Sequence, residues 1–315
     1  MAITETEVLE RGSQTALAGI WAPAVTPYDK DLVPDAALLI EHVRRLLATG
    51  CQGVGLFGTT GEGTSLNVEE RIALVQAVLE AGVDPERLMV GTGCAALSDT
   101  VRLTAAVVSL GCGKALMLPP FYYKDVSDEG LYASFAEVIE RVGDARLGLI
   151  LYHFPRLSCV PISHPVIERL CRAYPDTILG VKDSSGDLAS TEGFIGAFPD
   201  LAIFAGTEAL LLDALKAGGA GSITASANVN ATAIRAVYDA WASGGEAEPL
   251  QAQITAHRMA LQSRPMIPML KHILASELDQ AAWSRVRPPL VALTADSGEA
   301  ACADLAAAGF VFAAG

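Results

Sequence analysis

Short apolar runs alternate with amphipathic stretches along most of this chain. The apolar runs at 19–26, 53–58, 88–91, 115–118, 147–152, 177–182, 201–204 and 221–224 read as strands. Between them, apolar residues recur at three- and four-residue spacing, as on one face of a helix. Leu38, Leu39, Val43, Leu46 and Leu47 form the first such face. Start and stop signals frame these helices. Pro34-Asp35 opens the first and Gly50 closes it. Asn67 with Glu70 makes a capping box for the second, and Ser98 caps the third. The fourth spans about 128–142, and Ser163 opens the next. After Thr232 helix follows helix, at 233–243, 248–262, 267–278 and 298–308.

Strands this apolar, strictly alternating with helices, imply a parallel sheet covered by helices. Eight such units in about 230 residues match an α/β fold of the (β/α)8 TIM-barrel type at its typical size. A doubly wound sheet is the competing arrangement. The expected organisation is a flexible N-terminal segment at 1–17, a barrel at 18–231 and a C-terminal helical extension at 232–315.

With 315 residues, 51% hydrophobic and 18% charged, the chain can bury a large core and carries too little charge for disorder. Its net charge of −14 at pH 7 argues against a nucleic-acid partner and against anionic membrane surfaces. The same charge gives an anionic substrate no help at long range, so a carboxylate must be held by local donors. Glu5, Glu7 and Glu10 lie in no signal-peptide pattern, and no apolar stretch approaches the roughly 18 residues of a membrane span. Six cysteines without a C-x-x-C pair read as reduced, mostly buried thiols of a cytoplasmic protein. No Cys/His cluster and no H-E-x-x-H suggests a metal.

The run Thr177-Ile-Leu-Gly-Val-Lys182-Asp-Ser-Ser-Gly186 carries a lysine near the end of a buried strand. Burying an ammonium without a partner is costly. Lys182 therefore either pairs with a carboxylate such as Asp183 or gives up its proton. The second state is the neutral amine that attacks a ketone.

In a (β/α)8 barrel, function sits at the C-terminal ends of the strands. The polar groups there are Gly58-Thr59-Thr60-Gly61-Glu62, Pro119-Pro-Phe-Tyr122-Tyr123-Lys124, Tyr152-His153-Phe154-Pro155, Lys182 and Gly206-Thr207-Glu208. Hydroxyls and free N–H groups of the Gly-Thr-Thr-Gly turn suit a carboxylate, tyrosine hydroxyls relay protons, and a lysine forms an imine. Together they suit a 2-oxo acid held as a Schiff base. Plainer readings stand beside these. Thr59 and Thr60 are also ordinary turn residues. Tyr122 and Tyr123 also suit core or interface packing. His153 suits a structural hydrogen bond as well as catalysis, and Glu62 a solvated or capping carboxylate. Gly53-Val-Gly55-Leu-Phe-Gly58 matches G-x-G-x-x-G, but its glycines lie inside an apolar run and no helix starts before Asn67, so a nucleotide site does not follow.

These residues resemble the dihydrodipicolinate synthase/N-acetylneuraminate lyase family of class I, Schiff-base pyruvate-type aldolases. The resemblance spans about residues 17–295. Gly58-Thr-Thr-Gly-Glu62, Pro119-Pro-Phe-Tyr-Tyr-Lys124, Glu129-Gly-Leu-Tyr132, Tyr152-x-x-Pro155, Gly180-Val-Lys-Asp-Ser-Ser-Gly186 and Pro268-Met-Leu-Lys271 agree in order and spacing. The resemblance implies Lys182 as the imine-forming lysine and Tyr152 as general acid/base. It puts Thr59 and Thr60 on the substrate carboxylate, with Thr59 also relaying protons, and makes Tyr123 the tyrosine that reaches a neighbouring subunit's site. Ile223 matches a position whose backbone lies near the imine. Gly58, Ser184 and Glu208, in the same turns, complete the expected substrate-binding set. A tetramer of two tight dimers, with neither metal nor organic cofactor, is further implied.

Departures from the family bear on the substrate. Lysine-pathway synthases continue the strand-five tyrosine as Y-N-V-P-x-R-T-G, and that arginine holds the second substrate's carboxylate. Here the run is Tyr152-His-Phe-Pro-Arg156-Leu157-Ser158-Cys159, with Leu157 at the arginine's place and Arg156 one position early. Pro155-Arg-Leu-Ser158 and Ser185-Gly-Asp-Leu188 look more like sialate lyases. Yet Gly206-Thr-Glu208-Ala209 lacks their paired acids, and Ala225 replaces a serine. The expected reaction is cleavage of a 2-oxo-3-deoxy sugar acid or related 4-hydroxy-2-oxo acid to pyruvate and an aldehyde, by a cytoplasmic homotetramer. The alternatives are the dihydrodipicolinate synthase reaction, dehydration of a 2-oxo-3-deoxy acid, and a barrel that binds a small molecule without turnover.

Overall fold

The computed structural model describes residues 17–313. Eight parallel strands close into a barrel in chain order. They are β1 (Gly19–Pro23), β2 (Gly53–Leu56), β3 (Leu88–Gly91), β4 (Lys114–Met117), β5 (Gly148–His153), β6 (Ile178–Asp183), β7 (Ala202–Ala205) and β8 (Gly221–Ile223). Each expected strand is present, its ends shifted by a few residues at most. Because β1 pairs with both β2 and β8, the sheet has no edge and the doubly wound alternative is excluded. The strands are apolar on both faces because the inner face fills the barrel and the outer face meets helices. Inside, Trp21, Met89, Leu116, Ile150, Phe204 and Ile223 pack with Tyr152 in one buried cluster.

The helical layer consists of α1 (Ala36–Ala48), α2 (Val68–Glu80), α3 (Leu97–Ser109), α4 (Asp128–Val142), a single turn α5 (Pro155–Ser158), α6 (His164–Ala173), α7 (Leu188–Ala197), α8 (Leu211–Lys216) and α9 (Ala227–Ala242). Then come α10 (Glu248–Gln262), α11 (Met266–Glu277) and α12 (Ala295–Ala307), the C-terminal helices. The Asn67–Glu70 capping box forms in both directions, and Asp35 and Ser163 accept from Leu38 and Val166 N–H at their helix starts. Ser98 does not cap α3. The helix begins one residue earlier, at Leu97, without a side-chain cap, and the Thr100 hydroxyl takes the Cys94 N–H at 3.0 Å instead. Helix α9 has a first turn from Ala227 and a kink at the non-helical Asn230, so its continuous part begins close to the expected 233. Its first turns hold the buried Asn228 and Asn230, polar groups that hide the apolar period from a sequence reading. The cysteines are free, but only Cys51 and Cys112 are buried; Cys159 is exposed and the other three are intermediate. The expected flexible segment lies outside the described residues except for Leu17, which is buried.

A buried polar knot closes the barrel where its first and last helices meet. Asn228 donates to the carbonyls of Pro23 (2.9 Å) and Ala225 (2.8 Å), and its Oδ1 accepts from Val25 N–H (3.0 Å). His42 Nε2 donates to the same oxygen at 2.8 Å, and its Nδ1 accepts from Arg45 at 3.0 Å. This pairing sets the neutral tautomer with hydrogen on Nε2. Burial first, then the Arg45 charge, push the His42 imidazolium down to about 3. The unfolded chain therefore binds a proton at this histidine between about 6.5 and 3 that the folded chain refuses. Folding stability should fall as pH drops through that window, at up to about 1.4 kcal/mol per pH unit from this group. Denaturant unfolding at stepped pH checks this: His42→Gln, which keeps a donor but cannot titrate, should show a shallower acid limb than the wild type.

Candidate active site

Two neighbouring strands supply the centre of the site. Tyr152 on β5 and Lys182 on β6 are register partners, so both point to the same face. Alternation along a strand then fixes where their neighbours point. Tyr152 and Lys182 line the cavity at the C-terminal mouth of the barrel. His153 and Asp183 turn outward to the helices. His153 Nδ1 accepts from Ile162 N–H at 3.1 Å, and its ring meets Phe194 edge-on. Burial lowers its pKa against the pull of Asp183, so it stands as a neutral structural hydrogen-bonder. Asp183 accepts from Ser185 N–H and Oγ, both at 2.9 Å, and from Thr191 at 2.7 Å. The Lys182–Asp183 ion pair allowed by the sequence does not form, because the two side chains leave opposite faces of one strand.

Lys182 is 3% exposed and makes no ion pair among the described residues. Its Nζ lies 4.2 Å from the centroid of the Tyr152 ring. The Tyr152 hydroxyl is 3.2 Å from Thr59 Oγ1. Beside them, the Gly-Thr-Thr-Gly turn is tightly wound. Phe57 and Glu62 hold φ of +58° and +55°, left-handed values that are uncommon outside glycine, and a Cβ at Gly63 would collide with the Phe57 carbonyl. The turn closes through Glu62 N–H to Thr59 O (3.1 Å) and Gly63 N–H to Gly58 O (3.1 Å). Among the described residues the N–H groups of Thr59 and Thr60 and the Thr60 hydroxyl make no hydrogen bond within the chain, and both threonines line the cavity.

The cavity has a volume of about 540 Å3. Thr59, Thr60, Tyr152, Lys182, Ser184 and Ile223 all line it, so six of the expected residues come together. Three do not. Gly58 lines an adjoining cavity of about 260 Å3, separated from the first by Thr59, Tyr152 and Leu157, which face both. Tyr123 stands 73% exposed on the loop after β4, edge-on to Tyr122, and lines neither cavity within one chain. Glu208 is a correction: it is fully buried behind the cavity wall. Its carboxylate accepts from Thr224 (2.5 Å), Ser226 and Arg258 (3.3 Å), because a buried carboxylate needs donors and these reach it where the cavity does not.

The sequence reading missed the far wall. Arg258 and Gln262 of α10, the segment Pro265–Pro268 and Leu290 also line the cavity. The connection to this region was visible as a lysine inside the apolar face of α11. Lys271 is fully buried and donates to Glu62, of the Gly-Thr-Thr-Gly-Glu turn, and to Arg285 O at 2.7 Å. Arg287 N–H donates to the other Glu62 oxygen at 2.9 Å, and the Arg287 guanidinium grips Glu70 with both Nη atoms. Burial pushes Lys271 down to about 8, and the Glu62 charge acts against that shift. Among the described residues no group of His, Cys, Asp and Glu side chains could hold a metal ion.

A closed barrel with an amine, a phenol and a hydroxyl at its mouth is the setting of a class I aldolase. The sequence profile described as the dihydrodipicolinate synthetase family matches residues 16–308. A DapA-like lyase of Chloroflexus aurantiacus is 37% identical over 280 residues, covering 88% of this chain and 92% of that protein. A 4-hydroxy-tetrahydrodipicolinate synthase of Listeria welshimeri is 31% identical over 286 residues, covering 87% and 92%. The crystal structure of dihydrodipicolinate synthase from Agrobacterium tumefaciens superposes with a TM-score of 0.85 at 33% identity, over 92% of this chain and 98% of that one. The chain belongs to the dihydrodipicolinate synthetase family and is a lyase of the class I aldolase type.

The Glu62–Lys271 pair yields a prediction. Lys271→Met leaves a carboxylate buried without its cation and should cost about 3–5 kcal/mol in denaturant unfolding. Lys271→Met combined with Glu62→Gln should recover part of that loss.

Proposed function

We propose that the protein is a Schiff-base aldolase that cleaves a 4-hydroxy-2-oxo acid, a class that includes 2-oxo-3-deoxy sugar acids, to pyruvate and an aldehyde. The observation that carries this reading is Lys182: buried, without an ion pair among the described residues, and against the Tyr152 ring at the cavity floor. Thr59 and Thr60 hold the substrate carboxylate with their hydroxyls and open N–H groups. The Lys182 amine adds to the ketone, and loss of water leaves a protonated imine. Tyr152 takes the proton of the C4 hydroxyl as the C3–C4 bond breaks, and the imine accepts the electron pair as an enamine. The aldehyde departs, C3 is protonated, and water releases pyruvate and the free amine. Thr59, 3.2 Å from the Tyr152 hydroxyl, passes the proton on.

In this reading a neighbouring copy supplies Tyr123. The adjoining cavity, walled by Thr59 and Tyr152 and flanked by Phe121, offers it a place, and the exposed Tyr122–Tyr123 pair offers the reaching group. The protein works as a cytoplasmic homotetramer of two tight dimers, and the reaction calls on no cofactor. No helix among the described residues is long and apolar enough to cross a membrane. Synthesis of 4-hydroxy-tetrahydrodipicolinate, the activity in the Listeria relative's name, is the second reading. Arg156, which lines the cavity although it sits one place early, favours it. Condensation of pyruvate with aspartate semialdehyde assayed beside cleavage of 2-oxo-3-deoxygluconate separates the two. Fast condensation with no cleavage would select the synthase.

Borohydride reduction in the presence of pyruvate should leave a pyruvyl adduct on the peptide containing Lys182, read by mass, and none in Lys182→Ala. No adduct with pyruvate or with longer 2-oxo acids would sink the imine mechanism. Tyr152→Phe should lower turnover by roughly 10²–10⁴, measured by pyruvate release at saturating substrate, because the phenol that moves the proton is gone.

A further inference from the structure

Beyond the amine and the phenol, the cavity presents hydrocarbon to its occupant. Phe154, Leu210, Ile267 and Leu290 line it and are only half buried by the chain itself. They come from the loops after β5 and β7, from α11 and from the segment after Arg287. Leu157, 60% exposed, extends the same surface to the boundary with the adjoining cavity. Large apolar groups left uncovered on one concave surface gain most when an apolar body displaces the water over them. The volume of about 540 Å3 far exceeds what a pyruvyl group fills.

The polar groups of this region are engaged already or stand at its edge. Glu208 is withdrawn behind the wall, and no Asp or Glu among the described residues lines the cavity. Gln262 accepts from Arg258 Nε at 3.4 Å and donates to Met259 Sδ at 2.9 Å. The Thr207 hydroxyl accepts from Ala209 N–H at 3.4 Å. The Arg258 charge is met by Glu208 at 3.3 Å. Arg156 stands exposed on the single turn α5, where water solvates its charge. Ser184 adds one hydroxyl. A polyhydroxylated aldehyde half would leave several hydroxyls facing hydrocarbon without partners, at a cost for each. An apolar one loses nothing there.

An aromatic row leads from the amine to this wall. Lys182 Nζ lies 4.2 Å from the Tyr152 ring centroid, and that ring stacks on Phe154 with centroids 5.6 Å apart and planes at 28°. On the Schiff-base reading Tyr152 faces the carbon that becomes the aldehyde, so the group which that carbon carries lies next to Phe154.

We propose that the site takes an apolar aldehyde half, so that the natural substrate is a 4-hydroxy-2-oxo acid with a hydrocarbon body on C4. This deepens the Schiff-base reading and rests on it. Cleavage breaks the C3–C4 bond of that acid. The C4 hydroxyl gives up its proton and becomes the carbonyl of an apolar aldehyde, while the electron pair passes to the imine as an enamine. Protonation at C3 and hydrolysis then return pyruvate and free Lys182.

The synthetic direction tests this with matched probes. 3-Phenylpropionaldehyde and succinic semialdehyde carry the same saturated arm to the reacting carbonyl and differ in ending on a phenyl ring or a carboxylate. Glyceraldehyde presents hydroxyls instead. In condensation with pyruvate the wild type should prefer 3-phenylpropionaldehyde in kcat/KM by about tenfold or more over both others. Leu290→Asn and, separately, Ile267→Thr keep much of the side chain's shape and add a polar group to the wall. Each should lower the ratio of 3-phenylpropionaldehyde to succinic semialdehyde by about tenfold, chiefly through the KM of the apolar aldehyde. Comparing this ratio between variant and wild type cancels the intrinsic reactivity of the two carbonyls. Unfolding curves on the same samples show which variants are folded, and the two substitutions lie on separate segments. A wild type that prefers succinic semialdehyde or glyceraldehyde, or folded variants that keep the wild-type ratio, would overturn the proposal. Borohydride trapping of the wild type with pyruvate separates the levels. An adduct on Lys182 without apolar preference in turnover overturns this proposal alone, and no adduct overturns the Schiff-base reading with it.

Discussion

The Glu62–Lys271 ion pair holds together the two parts of this molecule that must agree for a site to exist. Glu62 ends the turn that carries Thr59 and Thr60, and Lys271 lies on α11, more than 200 residues later in the chain. Neither group has an alternative partner in water, since both side chains are fully buried. Such a pair is weak evidence for net stability, because desolvation offsets most of the attraction. Its effect is positional. Any other placement of α11 against the barrel would leave a charge unpaired in the interior. Arg287 then ties the following segment to the same carboxylate and to Glu70 of α2. The left-handed backbone at Phe57 and Glu62 is held from both sides, and the open N–H groups of Thr59 and Thr60 keep one geometry.

The chemistry itself depends on a simpler constraint, the two-residue period of a strand. Tyr152 and Lys182 are brought together because β5 and β6 pair in parallel with these two residues in register. A slip of one residue in either strand would put His153 or Asp183 at the mouth and send the amine or the phenol into the helical layer. Buried apolar neighbours above and below, Ile150 and Phe204 among them, resist that slip. The hydroxyl and amide partners of Asp183 and the Ile162 N–H on His153 resist it from the other face.

Most of the fold was legible because its apolar runs and helix caps are local signals. Eight runs gave eight strands, and Asn67, Asp35 and Ser163 marked true helix starts. The failures have physical reasons. At α9, buried Asn228 serves the closure of the barrel and buried Asn230 meets His257 of α10, so both break the apolar period. At Ser98, the helix already begins at Leu97 behind Ala96, so the serine falls inside the first turn and caps nothing. In the site, residues on strand ends were readable because barrel topology says where strands point. Glu208 was not, since a carboxylate next to a cavity and a carboxylate behind it look alike in sequence. Arg258 was invisible for a related reason. Nothing in α10 says that its helix leans over the barrel mouth; the contacts that place it, Gln251 to the Glu208 and Ala209 carbonyls and Arg258 to Glu208, span some forty residues or more of chain.

The cavity is built from two sources, strand ends below and C-terminal helices above. This division has an evolutionary consequence. On the Schiff-base reading, point changes in α10 and the 265–268 segment can reshape the far wall of the cavity while Lys182 and Tyr152 stay untouched. The freedom has a limit. Whole replacement of the C-terminal helices would remove the cation that Glu62 requires, and with it the support of the turn that carries Thr59 and Thr60. Divergence in this architecture should therefore proceed by point changes around a retained Lys271 rather than by exchange of the entire segment.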